Sequence, residues 1–534
     1  MAFEALLGLS NPVLSIALLS LAILVAAFLH AFKRPSLPSN APPLATESWP
    51  IIGSMQFFLE RWDFFQRQMA HSPTGNFSFY AGDKVVVALS GDESRRIFFD
   101  HKQLSLTEGY GALLGGSPQV SDKDAKSLAG GKAEQDGFEN YFAKRLVTML
   151  KGPLLAKGLP QLLDDMRSTI DRFATQDTKT TDPFDSIYRL VFQMTMRTVA
   201  CVEIAGDDEL RERVLKLFET IEGTATPMSI MYSWLPLPAK FRRTYAGAQL
   251  YMIFKGIIDK RAKEGRQEED ALQYLIDQGD DVTKIITVRI MHLLCARRCT
   301  NEASQFVLGA LFAGQLNSGI NAAWMLIYLA DDKKWFNLVR KEVDSVVNQY
   351  CPDTSLSRAD RLMHVPIEAW ESAFPTIDLV LRESMRLQLQ GSAFRKNTSG
   401  RPIPVNKEGT EFIPAGAYAT VAVADIHHNP EIYTDHEAFD PARYLPGRAE
   451  DKKKQYGWIG WGVSRHPCLG MRFAKLENNI ITAFWVACFD GAELVDVDGK
   501  KTVPPVVNRN FHAAHKPEGK VFVKYRVRGS EGEM

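Results

Sequence analysis

Cys468 lies in Trp461-Gly462-Val463-Ser464-Arg465-His466-Pro467-Cys468-Leu469-Gly470-Met471-Arg472-Phe473-Ala474. A thiolate there is an anionic, polarizable ligand for iron, and one that donates electron density favours cleavage of an O–O bond. Pro467 stiffens the turn before it. A buried cysteine in a turn ahead of a helix is the plain alternative, which a lone Cys-x-Gly does not exclude.

Three further segments carry chemistry-bearing residues. Glu383 and Arg386 stand three apart in Leu381-Arg382-Glu383-Ser384-Met385-Arg386-Leu387 and share one helical face. Alone, such a pair on a solvated helix contributes only a few tenths of a kcal/mol and carries no functional signal. Downstream runs Phe439-Asp440-Pro441-Ala442-Arg443-Tyr444. The fourth segment, Ala310-Leu311-Phe312-Ala313-Gly314-Gln315-Leu316-Asn317-Ser318-Gly319-Ile320-Asn321, is an apolar helix in which Asn317 can donate and accept hydrogen bonds. A polar helix–helix contact is the alternative for Asn317, and Gly314 and Gly319 are equally readable as packing sites.

Together the four segments resemble the cytochrome P-450 superfamily of haem-thiolate monooxygenases, over nearly the whole chain past an apolar N-terminal run. The resemblance implies haem b with Cys468 as the axial metal ligand. Gly462 and Gly470 then let the backbone approach the ring and face its amides to the sulfur, Trp461 shields the thiolate, and His466 meets a haem propionate. Ala474 and Glu477 continue the match into a following helix. Glu383, Arg386 and Arg443 become a structural triad that fixes the segment leading into the cysteine loop. Arg395 corresponds to the family's propionate-binding arginine, with an exposed loop arginine as its alternative. The family's Trp-x-x-x-Arg pattern is absent, so Tyr141, Lys144 and Arg145 leave only Arg145 as a further propionate candidate, against a solvated helical face.

Two departures stand out. Ser464 replaces a second glycine four positions before the cysteine, which bears on the backbone of the loop. Leu316 and Asn317 replace the acid and alcohol of the oxygen-activation motif, while Gly314 aligns, leaving Gly314, Asn317 and Ser318 as the oxygen-side candidates. The asparagine variant is similar to the branch holding sterol 7α-hydroxylases, prostacyclin synthase and related fungal enzymes, which includes isomerases as well as monooxygenases.

The stretches 137–150, 160–175, 184–200, 207–222, 246–263, 303–330, 333–349 and 367–387 have helical apolar spacing, while Lys84–Leu89, Ala417–Val423 and 520–525 read as strands. Helices fill the middle and strands gather toward both ends, so the expected fold is mainly α with a smaller, segregated β region, preceded by one transmembrane helix. Residues 13–32 are uncharged, and roughly 20 apolar residues cross a bilayer core. Lys33 and Arg34 follow directly, which puts the body on the cytosolic side. The expected order is a lumenal segment 1–12, an anchor 13–32, a basic and proline-rich hinge 33–49, and a catalytic domain 50–534, held single-pass in the endoplasmic reticulum membrane.

The 534 residues, 45% hydrophobic, suffice for a large core. Lysine plus arginine and aspartate plus glutamate each number 63, so the basic excess that nucleic-acid binding requires is missing. Six scattered cysteines fit a reducing compartment better than a disulfide scaffold or a zinc site; Cys295 and Cys299 share a face but lack further ligands. By resemblance, the substrate is enclosed by Ser105–Val120, Thr224–Leu237, 310–318, Leu389–Phe394 and Asn508–Ala513. These stretches are largely apolar and suit a small lipophilic molecule of terpenoid, steroid or polyketide kind, as met in secondary-metabolite biosynthesis. Electrons are expected from NADPH-cytochrome P-450 reductase, with Arg465, Arg472 and Lys475 as a basic patch for it. The alternatives are a same-fold isomerase or dehydratase acting on an oxygenated substrate without reductase, and a non-catalytic haem-binding membrane protein.

Overall fold

The computed structural model describes residues 16, 18–21, 34–114, 138–232, 235–279 and 306–529. Its centre is the helix Phe306–Asp331. Every residue from 322 to 330 is buried, as expected of a helix that is apolar all round. Around it pack Pro183–Val199, Pro375–Gln388 and Met471–Cys488. The first of these starts where local chemistry dictates: Asp182 accepts from the Phe184 N–H, and Pro183 fills the first turn.

Strands gather into small sheets outside this bundle. In the five-stranded sheet the hairpin Phe77–Ala81 and Lys84–Ala88 joins Tyr418–Ala422 through a parallel pairing that sets Val87 opposite Ala419. Tyr418–Ala422 pairs antiparallel with Ser392–Asn397, placing Arg395 opposite Ala419, and Leu104–Ser105 closes the edge. Phe489–Val495 and Phe522–Val527 form an antiparallel pair that also takes up Thr180–Thr181. The mainly helical body with a segregated β minority is therefore as expected.

Boundaries differ where proline is involved. The helix expected from 160 begins at Gly152 and runs through Pro160. Pro160 costs the Ala156 carbonyl its partner, but the helix buries Leu155, Leu159, Leu162, Leu163 and Met166, and that packing outweighs the missing bond. The single helix expected over 367–387 is two, Ile367–Ser372 and Pro375–Gln388, because the residue before a proline is pushed out of the helical region. The helix expected over 246–263 begins at Pro238 and ends at Glu264.

Of the expected anchor only Ile16 and residues 18–21 are described; they are helical and exposed. The remainder of 13–32, segment 1–12, and Cys295 with Cys299 lie outside the described residues. Among those described, no helix is long and apolar enough to cross a membrane. The proline-rich hinge is docked rather than free over its later half. The Ala45 N–H donates to Ser78 O at 2.7 Å and the Ser78 N–H to Pro43 O at 2.7 Å, which adds an extended segment along the outer strand of the main sheet.

Candidate active site

Glu383 sits on the inner face of Pro375–Gln388 and is fully buried with Arg386 and Arg443. Arg386 donates to both its carboxylate oxygens, Nε at 2.9 Å and Nη2 at 2.8 Å. Arg443 Nε donates to Glu383 Oε1 at 2.9 Å, the Tyr444 hydroxyl to Oε2 at 3.0 Å and the Asp440 N–H to Oε1 at 3.0 Å. The three residues expected as a triad thus meet. Glu450, which the spacing did not suggest, balances the second arginine by accepting from Arg443 Nη1 at 2.7 Å. The remaining guanidinium donors fix carbonyls: Arg386 holds those of His427, His436 and Ala438, and Arg443 those of Thr434 and Ala438. A buried ionic network holds only if each member is satisfied, and no side-chain nitrogen or oxygen of Glu383, Arg386, Arg443 or Glu450 lacks a partner.

The link from this network to the cysteine passes through a residue the sequence did not single out. His427 gives its carbonyl to Arg386 and takes the Ile459 N–H on Nε2 at 3.1 Å. Burial pushes its pKa well below the ordinary value, so the ring is neutral. Ile459 O in turn accepts from the Gly462 N–H at 2.9 Å, which opens the cysteine loop.

Gly462 has a φ of 66°, and an added Cβ would lie 2.3 Å from His466 O; no other residue fits. The Cys468 N–H closes the loop onto Trp461 O at 2.8 Å. Ser464, the departure from the family pattern, takes a left-handed φ of 55°, the conformation a glycine would supply. Its hydroxyl donates to Asp100 Oδ1 at 2.5 Å, and the Tyr456 hydroxyl donates to the same oxygen. A tether thus holds what glycine's freedom would otherwise allow.

Of the four described cysteines, Cys468 alone has an exposed side chain. It is nonetheless closely surrounded by protein: burial pushes its thiol pKa up, while the N–H groups of Gly470 and Met471 favour the thiolate. The Trp461 indole N–H is buried with no protein acceptor. Arg395 is buried, donates Nη1 to Phe394 O at 2.8 Å and lies 5.0 Å from the Phe98 ring centroid; it is not an exposed loop arginine. His466 is half-buried in the cysteine loop. Arg145 donates Nη1 to Gln278 at 2.9 Å and lies over Tyr274, so its guanidinium is engaged by the helix Ala271–Asp277. The side chain of Tyr141 lies outside the described residues.

On the central helix Ala313 and Asn317 form an exposed face one turn apart. Asn317 Nδ2 donates to Ala313 O at 2.9 Å, which leaves Oδ1 as an acceptor on that face. Ser318 points elsewhere. It is buried and hydrogen-bonds the Glu477 carboxyl, which also accepts from Thr195 Oγ1 at 3.3 Å. Complete burial raises the Glu477 pKa well above its ordinary value, and its carboxyl ties together three helices. Gly319 is a true packing site, since a Cβ there would sit 2.8 Å from the Tyr188 ring; at Gly314 the nearest atom is 3.9 Å away.

Of the expected enclosing segments, Ser105–Val120, Leu389–Phe394 and Asn508–Ala513 meet. An added Cβ on Gly391 would strike His512 O at 2.2 Å, and one on Gly109 would lie 2.6 Å from Arg395 Cα. Tyr110 packs edge-on to Phe394 with centroids 5.5 Å apart, while Phe312 of the central helix meets Phe218, which lies outside the expected segments, at 5.0 Å. Residues 115–120, 233 and 234 lie outside the described residues. In the basic patch Arg472 is paired with Glu371 and Lys475 with Asp378 at 2.5 Å each, which leaves Arg465 as its exposed cation outside those ion pairs.

Comparison with known proteins agrees with this geometry. A cytochrome P-450 monooxygenase of Aspergillus aculeatus is 32% identical over 85% of this chain and 87% of its own length. One of Aspergillus novofumigatus is 32% identical over 92% of each. Among solved structures, the retinoic acid-bound cyanobacterial CYP120A1 superposes with a TM-score of 0.65 over 92% of this chain and 100% of its own, at 20% identity; at that identity the likeness is one of fold. Residues 42–515 match the family described as Cytochrome P-450. The chain belongs to the cytochrome P-450 family and is a monooxygenase whose cofactor is haem held by a cysteine thiolate.

Proposed function

We propose that Cys468 is the haem ligand and that the enzyme oxidises a lipophilic small molecule of terpenoid, steroid or polyketide kind, probing its substrate from the exposed Ala313–Asn317 face. The observation that carries this reading is the single open cysteine among four described, in a loop whose amides favour its thiolate. The residues fit the group. Burial alone raises the thiol pKa, but a coordinating metal ion deprotonates its thiol outright. Arg395 and His466 are cationic or donor side chains for carboxylates of the ring, and the Trp461 indole supplies a water-excluding wall with an unclaimed N–H. Bound haem supplies the one-electron and dioxygen chemistry. The chain's own contribution on the opposite face is Asn317, whose Oδ1 can hold a water or accept a proton-bearing group where an acid and alcohol are missing.

Electrons come from NADPH through a separate cytochrome P-450 reductase, met by the side bearing Arg465. Residues 13–32 anchor the enzyme single-pass in the endoplasmic reticulum membrane with 50–534 facing the cytosol, a reading supported by the uncharged run and the Lys33-Arg34 pair that follows it. The asparagine at 317 supports placing the chain beside the sterol 7α-hydroxylase and prostacyclin synthase branch. A reduced carbon monoxide difference spectrum of purified protein tests the ligand: a thiolate-type Soret band is expected, lost in Cys468→Ser, and its persistence in the variant overturns the assignment. Product formed from an oxygenated substrate without NADPH or reductase would instead indicate an isomerase.

A further inference from the structure

Beside the Glu383 network, on the chain segment that its arginines fix, two histidines and a glutamate point ligand atoms at one another. His428, His436 and Glu437 each offer one such atom, all within 4.8 Å. His436 Nδ1 lies 2.8 Å and His428 Nδ1 3.6 Å from Glu437 Oε1. Both Nδ1 atoms are buried and make no hydrogen bond of sound geometry. Buried polar atoms in folded proteins are satisfied with few exceptions, and a bound ion is one way such an exception is met. We propose that His428 Nδ1, His436 Nδ1 and Glu437 Oε1 form a site for a divalent transition metal of the zinc class, completed by water.

Each donor suits that ion. Neutral imidazole nitrogen and carboxylate oxygen are zinc ligands at about 2.0–2.2 Å, and three protein ligands with water as the fourth is a common open zinc coordination. Drawing atoms within 4.8 Å of one another onto one ion needs sub-ångström to ångström shifts of side chains alone. Glu437 turns Oε1 toward both histidine nitrogens. Its other oxygen, Oε2, is taken by Arg509, an outer partner of the kind that orients a ligating carboxylate. Arg386 pins the carbonyls of His427 and His436 at 2.8 and 2.7 Å, so both histidines leave a backbone already fixed. Glu437 is 57% exposed, which gives the ion and its water a way in. The positive charge of Arg509 opposes a dication, which makes this a site of moderate affinity and not a permanently loaded one.

The test is zinc chloride titrated calorimetrically into tag-free, chelator-treated and desalted haem-loaded protein. One saturable equivalent and a rise in melting temperature are expected. His436→Gln and Glu437→Gln should each weaken uptake roughly tenfold or more while the carbon monoxide spectrum is kept, which separates lost ligation from lost folding. Zinc-edge X-ray absorption on the unaltered protein reads the ligands directly: an all nitrogen and oxygen shell including two imidazoles is expected. No saturable uptake, uptake unchanged in both variants, or a shell containing sulfur overturns the site.

Discussion

Around Glu383 two guanidinium groups, two carboxylates and a phenol are removed from water, and none of the side-chain nitrogens and oxygens of the two arginines and two glutamates is left without a partner. Along Ala313–Asn317 the helix does the reverse: it turns alanine and asparagine outward, spends one amide on a carbonyl of its own previous turn, and keeps an acceptor open. The first arrangement stabilises one backbone shape beneath the cysteine; the second leaves a polar atom uncommitted where something must bind. Substitutions in the first region should therefore register as lost folding and cofactor retention, and in the second as altered chemistry on an intact fold.

Glu383→Ala gives the largest effect. It strands Arg386 and Arg443 in the interior, at a cost of about 3–5 kcal/mol, and thermal unfolding with haem content as readout should show little folded, loaded protein. His427→Ala comes next. It removes the acceptor of the Ile459 N–H, and a buried donor left unpaired costs about 1–3 kcal/mol; melting temperature falls and haem is released more readily, with the triad intact. A smaller effect is expected from acid. The fold holds His428 neutral with a pKa near 4, below the ordinary 6.5, so the unfolded chain binds the extra proton. The contribution of that group is whole above pH 6.5 and is lost as pH falls toward 4; His428→Gln should flatten that part of a denaturation-against-pH curve. Smallest in stability is Asn317→Ala, within about 0.5 kcal/mol for an exposed side chain. Turnover should nonetheless drop by about 10²-fold with an unchanged carbon monoxide spectrum, and a melting temperature that fell as far as in His427→Ala would erase the contrast between the two regions.

Local patterns made part of this site readable. Glu383 with Arg386 and the cysteine loop are short-range motifs, and helical spacing located the central helix to within a few residues. What escaped was set by contacts across the chain. Glu450 follows Arg443 by seven residues at the start of a single 3₁₀ turn, too short to show a periodicity. His427 acts through a ring nitrogen on Ile459, and Asp100 acts on Ser464; neither has a sequence signature, because the partner is defined only by the fold. Ser318 could not be told from Asn317 by sequence, since one residue of helical rotation decides which faces the open side and which faces Glu477. The helix expected from 160 starts earlier, at Gly152, because burial of the surrounding leucines outweighs the bond that Pro160 removes.

The tether from Asp100 to Ser464 and Tyr456 spans 364 residues to Ser464 and 356 to Tyr456. During synthesis Asp100 leaves the ribosome long before either partner exists, and contacts so distant in sequence form late because loop closure must come first. The corner that shapes the cysteine loop thus cannot be set until residues through Ser464 have left the ribosome, so capture of the cofactor in its finished pocket cannot precede that point.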